Sequence, residues 1–341
     1  MYIYDVKRLP FGKYKGNYKD LDIFDLVKLL NIPREEYDLF SLACTRTAGY
    51  GPALARHMSY INDINADSVL INNACASSLY ALIDIIERNK KNSIVVAAES
   101  MSTANKIVTK DGDTVSSNIV DGFICGITKE KMLDQAIRLN KFTRNELDYY
   151  TYLMYDRAFK NKLKFKNIIK NNYLNYDQRI EEISFKKITD EVSINNSKLT
   201  KYSVSNLADG AGYIIVGLSK KSAIAEIIDY DISFSDPTET IYSAIKSIKK
   251  MLNKHKDVDF YEIHDGFANC GLELIRQCNI DINRLNIFGS SISIGHPIAV
   301  TGLRLIQHAV EVMQRMNANK VLVSTPSSGG VGITLILKKG M

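Results

Sequence analysis

The stretch from Asp67 to Ser100 constrains this chain more than any other. DSVLINN (67–73) is apolar and β-branched and reads as a strand. ACASSLYALIDIIERNK follows with apolar residues at helical spacing, and NSIVVAAES (92–100) is a second strand. Strand, tight turn, helix and strand make a βαβ unit, which implies parallel strands and a layered α/β fold. The second half repeats the pattern. DVDFYEIHDGF (257–267) runs from strand into turn, and ANCGLELIRQ continues as a helix. SISIGHPIAVTGLRLIQHAVEVMQRM (291–316) is a turn with Pro297 near a helix start, then a long amphipathic helix. NKVLVSTPSSGGVGITLILKK (319–339) is two β-branched runs joined by a Ser/Gly turn, a hairpin.

Between the halves the character changes. Residues 103–200 are rich in Lys, Asn and Tyr, with helices expected near 127–138 and 143–160. TRNE at 143–146 has the capping-box pattern, with Thr143 as the cap. This segment reads as an insertion, and SNLADGAGYIIVGLSKK (205–221) returns to strand. The domain reading is a first half of 1–102 and 203–221, an inserted loop domain of 103–202, and a second half of 222–341.

The chain's 341 residues suit roughly two domains at about 150 residues each. With 45% apolar and 24% charged residues, it is neither a disordered chain nor a coiled-coil rod. No apolar run approaches the ~18–20 residues of a membrane span, so no membrane association is expected. MYIYDVKRLPFG lacks a signal-peptide core and LKKGM carries no peroxisomal or reticulum address, so a cytoplasmic location is expected. The net charge of +6 is spread along the chain. That pattern does not suit a nucleic-acid partner, but suits attraction to a phosphate-bearing ligand. Five cysteines, an odd number with no CxxC, fit a reducing compartment in which an important thiol is reactive rather than structural.

Three residues stand where chemistry is done. Cys75 lies between a strand and a helix, where unpaired N–H groups and the helix dipole are expected to lower a thiol pKa. The alternative is a small buried Cys packed at a helix start. His296, between Gly295 and Pro297, is placed to take a proton from a thiol or to donate to an oxyanion, or else is a turn histidine. His264 ends a strand, where ligands sit on α/β sheets, or else pairs with Asp265 at the core edge. His57, His255 and His308 read as solvated. The spacing of His264 and His296 matches no short metal-ligand pattern, so no metal is expected. PSSGGVG (326–332) offers backbone N–H groups to an anion, or is a plain hairpin turn.

Together these motifs resemble the thiolase superfamily along almost the whole chain. RLPFGKYKG (8–16) resembles its N-terminal RTPFGKFGG signature, NNACASSLYAL (72–82) its nucleophile block and AAESMS (97–102) its GMESMS block. SVSNLADGAG (203–212) resembles NASxxxDGA, and IGHPIAVTG (294–302) the GHP block. HDGF (264–267) resembles the HDCF motif of sterol-carrier-protein type and archaeal thiolases. The resemblance implies two similar βαβαβαβ halves in five α-β-α-β-α layers, with a loop domain that helps bind coenzyme A. It implies an acyltransferase that acylates Cys75 from a coenzyme A thioester and completes a Claisen-type condensation or thiolysis, with no permanently bound cofactor. His296 would activate Cys75, and His264 would stand where most thiolases have Asn. Cys75 and the Ser328–Gly329 turn would supply an oxyanion hole, and Ser205 would touch the pantetheine arm. A homodimer or tetramer is implied, and for HDCF-type members sometimes a small OB-fold partner. An acyl-carrier-protein thioester presents the same arm and remains open as donor.

The chain departs from the pattern at the second cysteine, which moves a proton at the α-carbon. The two usual positions hold Pro326 and Gly266, leaving Cys270, four residues on, as a substitute. Three enzymatic readings stay open: thiolase chemistry with another base, decarboxylative condensation by a Cys–His–His set, and specialised biosynthetic acyl transfer. A fourth is a degenerate CoA-binding scaffold.

Overall fold

The computed structural model describes residues 1–340. In the first half the strands are β1 (Tyr2–Arg8), β2 (Gly12–Lys13), β3 (Leu39–Ala43), β4 (Asp67–Ile71) and β5 (Asn92–Glu99). A small hairpin, β6 (Lys106–Val108) with β7 (Thr114–Ser116), leads into the intervening segment, after which come β8 (Ala208–Gly217) and β9 (Ala225–Phe234). The second half, which β9 opens, adds β10 (Phe260–Ile263), β11 (Lys320–Ser327) and β12 (Val331–Lys339).

The strand order is β10-β11-β12-β9-β1-β8-β5-β3-β4, with β2 on β8. Two equivalent sets sit in this path. β3 pairs parallel with β5, then β5 with β8 and β8 with β1 are antiparallel. β10 pairs parallel with β11, then β11 with β12 and β12 with β9 are antiparallel. The repeat seen in the sequence is thus a repeat of topology. The halves are also continuous at one corner, where Tyr2 and Ile3 of β1 meet Glu226 and Ala225 of β9.

The helices are α1 (Ile23–Lys28), α2 (Leu54–Ile61) and α3 (Ser77–Arg88), then α4 (Ser117–Gly122), α5 (Met132–Leu139), α6 (Arg144–Asn161) and α7 (Phe185–Thr189). α8 (Ala244–Lys254), α9 (Ala268–Cys278), α10 (Ser291–Ile294) and α11 (Thr301–Arg315) follow. Thr143 caps α6 with Glu146 completing the capping box. α3 and α11 form a middle layer between the two sheets. Leu79, Leu82, Leu303 and Ile306 pack there with Val95 of one sheet and Val323 of the other. Each such fully buried aliphatic side chain contributes about 1.5–3 kcal/mol. The two helices approach so closely that a Cβ at Gly302 would meet Ser78 Oγ at 2.7 Å and Leu79 Cγ at 2.8 Å. α1 and α2 cover the outer face of the first sheet, through Leu26 and Met58 against Phe40 and Val96. α8 and α9 cover the outer face of the second, through Ile248 and Leu274 against Ile263 and Leu322. The result is five layers, α-β-α-β-α. No helix among the described residues is long and apolar enough to cross a membrane.

Two expectations about α11 need correction. Its sequence is amphipathic, yet Thr301 to Met313 are buried throughout. A middle-layer helix has no solvent face, so its polar stripe must pair internally. His308, read as solvated, is fully buried, 3.3 Å from Glu262 Oε2 and 3.4 Å from Arg304 Nη1. Gln307 accepts from Arg8 Nε at 3.0 Å, and Glu311 accepts from the Lys166 backbone at 2.7 Å. His57 is exposed, while His255 is partly buried on Asp229 at 2.9 Å.

Candidate active site

Cys75 sits in a single 3-10 turn, Ala74–Ala76, between β4 and α3. The turn forces Ala74 to φ 44°, a left-handed conformation that costs a residue with a Cβ roughly 1–2 kcal/mol. Its neighbours hold it there. Ser77 Oγ donates to the Ala74 carbonyl at 2.7 Å and accepts from the Asn73 N–H at 2.8 Å. From the far hairpin, Ser327 Oγ donates to the Asn73 carbonyl at 2.6 Å and accepts from the Ala76 N–H at 3.4 Å.

His296 precedes α11 as Cys75 precedes α3. Gly295 stands at φ 115° with the Ala208 methyl 2.9 Å from where its Cβ would lie, so only glycine fits. The His296 N–H donates to the Asn206 carbonyl at 2.8 Å, and its Nδ1 lies 2.6 Å from Thr301 Oγ1. That leaves Nε2 3.1 Å from Cys75 Sγ. Glu99 of the ESMS block fastens the same turn. It accepts from the backbone of Ala299 at 3.2 Å and of Thr45 and Arg46 at 3.2 Å, and pairs with the Arg46 guanidinium at 2.7 Å.

His264 closes β10, its N–H donating to the Ser324 carbonyl at 2.9 Å and its Nδ1 2.8 Å from Ser291 Oγ. Its ring stacks on His296 with centroids 4.3 Å apart. Between the two histidine loops runs the 203–207 segment. Ser205 N–H donates to the Gly266 carbonyl at 2.8 Å, and Leu207 bridges to His296. The fold therefore brings Cys75, His264 and His296 together, with Sγ and one ring nitrogen of each histidine within 4.8 Å of one another. Sequence spacing carried no information on this closeness, because the contacts are long-range.

The expected lowering of the Cys75 pKa does not hold. Burial pushes the thiol up to about 12, and the Glu99 charge adds to this against the opposing pull of its own backbone N–H. Burial, with the Arg304 and Arg46 charges, takes His296 down to about 3. At neutral pH the resting pair is a thiol and a neutral imidazole, not a thiolate and an imidazolium. A helix start cannot offset so apolar a setting.

The three side chains floor a cavity of about 350 Å³ walled by Ile119, Phe123, Met132, Leu133, Val204, Ile241 and Phe267. Ser205 and Ser328 line it, while Gly329 does not, its backbone reaching the Cys125 sulfur instead. Pro326 and Gly266 line it too, so the two positions where the resemblance led a second cysteine to be expected face the cavity without a thiol. Cys270 also reaches the wall, but its Sγ donates to the Ile241 carbonyl at 2.9 Å, and burial holds the thiol well above its ordinary pKa. It is a poor base.

Sequence reasoning missed Thr301, Ser291, Arg304 and the anchoring role of Glu99. Thr301 had a signal, lying five residues beyond His296 in the same motif. Ser291 and Arg304 reach His264 only through the fold.

Comparison with known proteins adds to this geometry. Residues 221–339 match the family described as thiolase, C-terminal domain. The chain is 23% identical to the mitochondrial 3-ketoacyl-CoA thiolase of Mus musculus, covering 99% of this chain and 98% of that protein. It is 26% identical to a probable acetyl-CoA acetyltransferase of Mycolicibacterium smegmatis, covering 97% and 98%. The fold matches an acetyl-CoA acetyltransferase from Syntrophomonas wolfei with a TM-score of 0.92 at 20% identity, covering 100% of this chain and 99% of that one. It also matches human mitochondrial 3-ketoacyl-CoA thiolase in complex with CoA, with a TM-score of 0.89 at 22% identity, over 100% and 98%.

Proposed function

Starting from a chain that belongs to the thiolase superfamily, we propose that it is an acyltransferase that takes an acyl group from a coenzyme A thioester onto Cys75. The observation that carries the reading is the 3.1 Å approach of Cys75 Sγ to His296 Nε2 at the floor of an apolar cavity. Cys75 attacks the thioester carbonyl as Nε2 accepts its proton, a step for which Nδ1–H must face Thr301 Oγ1. The new bond is S–C at Cys75. The bond that breaks is the donor thioester, whose thiolate recovers the proton from Nε2. In this reading the backbone N–H groups of Cys75 and of the Ser328–Gly329 turn donate to the carbonyl oxygen. The low dielectric that keeps the resting pair neutral also strengthens these hydrogen bonds.

In the second half-reaction the acyl group passes to coenzyme A, in thiolysis, or to the α-carbon of a second thioester. Decarboxylative condensation is a second reading with one observation on its side. The one cavity-wall thiol besides Cys75, that of Cys270, is tied to the Ile241 carbonyl, and losing CO₂ creates a carbanion without a base. Residues 103–202 serve as the coenzyme A side of the pocket in this reading, Ser205 as a contact for the pantetheine arm, and a dimer or tetramer as the assembly.

Intact-protein mass spectrometry after incubation with acetyl-CoA tests the proposal. An acetyl adduct present in the native chain and lost in Cys75→Ala is expected. An adduct that persists in the variant would refute the nucleophile, and no adduct with any acyl-CoA would refute the function.

A further inference from the structure

We infer that Ser291 and Arg304 lock His264 in the tautomer with its proton on Nε2, so that His264 offers the cavity a hydrogen-bond donor and not a base. The geometric part stands alone, whereas its consequence for catalysis rests on the function proposed above.

A guanidinium only donates. Arg304 Nη2 lies 3.2 Å from Ser291 Oγ, so that oxygen accepts from it. The Ser291 hydroxyl proton then needs an acceptor, and the one within reach is His264 Nδ1 at 2.8 Å. Nδ1 is therefore bare and Nε2 carries the hydrogen. Both partners of the hydroxyl are themselves held in place from behind. The Ser291 N–H donates to Asp265 Oδ1 at 3.1 Å, and Asp265 Oδ2 accepts from Tyr150 at 2.7 Å. Arg304 is fully buried, with Nη1 3.4 Å from His308 Nδ1 and 4.0 Å from Glu262.

The other end of the ring opens on the cavity. A Cβ at Gly266 would lie 3.5 Å from Nε2, and glycine there places no side chain of its own over that N–H. Burial, then the neighbouring His296 and the Arg304 charge, hold the His264 pKa well below its ordinary value, so the ring stays neutral. The stacked histidines thus carry opposite tautomers. His296 turns a lone pair to the thiol, and His264 turns an N–H to whatever carbonyl oxygen gains charge in the second half-reaction. Ser291 and Arg304 are positioning residues for it.

Nitrogen-15 NMR of histidine-labelled protein tests the lock directly. There are five histidines, and His264→Asn identifies the resonance. A bare Nδ1 and protonated Nε2 on His264 are expected; the reverse tautomer, or an imidazolium, would overturn the inference. Ser291→Ala is expected to mix the tautomers, and Ser291→Thr, which keeps the hydroxyl, to restore the native one. Turnover of acetoacetyl-CoA with free coenzyme A should fall about tenfold in Ser291→Ala, while acetylation of Cys75 stays within twofold. Equal loss in both steps would mean a merely structural role and would overturn the positioning claim. Absence of any acyl adduct in the native chain would instead sink the proposed function and leave the tautomer result standing.

Discussion

Gly266→Cys tests what the missing thiol means for this pocket. The position can take a side chain: a Cβ there would meet His264 Nε2 at 3.5 Å, His264 Cε1 at 3.8 Å and Ser205 Oγ at 3.8 Å, all ordinary contacts. Its φ lies outside the left-handed range, so no backbone strain is added. We expect stability to change by less than about 1 kcal/mol, as for a substitution that neither overpacks nor leaves a cavity. The thiol would face the cavity beside His264 and could act on the α-carbon of a second thioester. A general base contributes roughly 10²–10⁴-fold. The burial that takes Cys75 to about 12 will keep the new thiol mostly protonated, so the lower end, about 10²-fold, is the expected gain. The assay is exchange of solvent deuterium into the methyl group of acetyl-CoA, followed by NMR, with Cys75 acetylation measured on the same samples. Two results would refute the reasoning. One is native protein that already exchanges as fast as the variant, which would reveal another base. The other is a variant that acetylates Cys75 normally and gains no exchange.

Alkylation of Cys75 by iodoacetamide should rise about tenfold per pH unit between pH 7 and 10, because a thiol held at about 12 gains thiolate throughout that range; a plateau near pH 7 would show a preformed ion pair. His264→Ala should spare Cys75 acetylation and lower the full reaction, and equal loss in both would place His264 in the first step. Cys270→Ala should leave turnover within about threefold, since that thiol is tied to the Ile241 carbonyl; a loss near the general-base range of ~10² would make it the base after all. Glu99→Gln should cost about 3–5 kcal/mol in urea unfolding by leaving the buried Arg46 charge uncompensated, and a change under 1 kcal/mol would deny that Glu99 anchors the turn.

What the sequence could reveal and what it hid divide by distance along the chain. The strand at 67, the helix after Cys75, the hairpin at 319–339 and the Thr143 cap are local, set by side-chain period and capping chemistry, and each was legible. The burial of His308 was not, because an amphipathic period does not say whether the polar stripe meets water or a second buried polar layer. The Cys75 pKa was misread for a related reason. A helix start is visible in sequence, but the apolar wall contributed by residues 119–133, 204, 241 and 267 is not.

The same division explains why three separated motifs make one site. Each half places a tight turn directly before its middle-layer helix, and the halves stack so that α3 and α11 lie side by side. The turn before α3 carries the thiol, and the turn before α11 carries the imidazole. Related positions in a repeated unit are thereby brought face to face across the layer. Residues 221 apart in the chain come within 3.1 Å with no linker of their own. His264 enters from β10, the second-half equivalent of β3, so the third group also comes from the repeat. The ties that hold these turns, Ser327 to Asn73, Glu99 to Ala299 and Ser78 to Leu303, all cross between the halves. A change that loosens the packing of the two halves should therefore impair the Cys75–His296 pair before it unfolds either half, because the pair has one member in each and the ties that hold its turns cross between them.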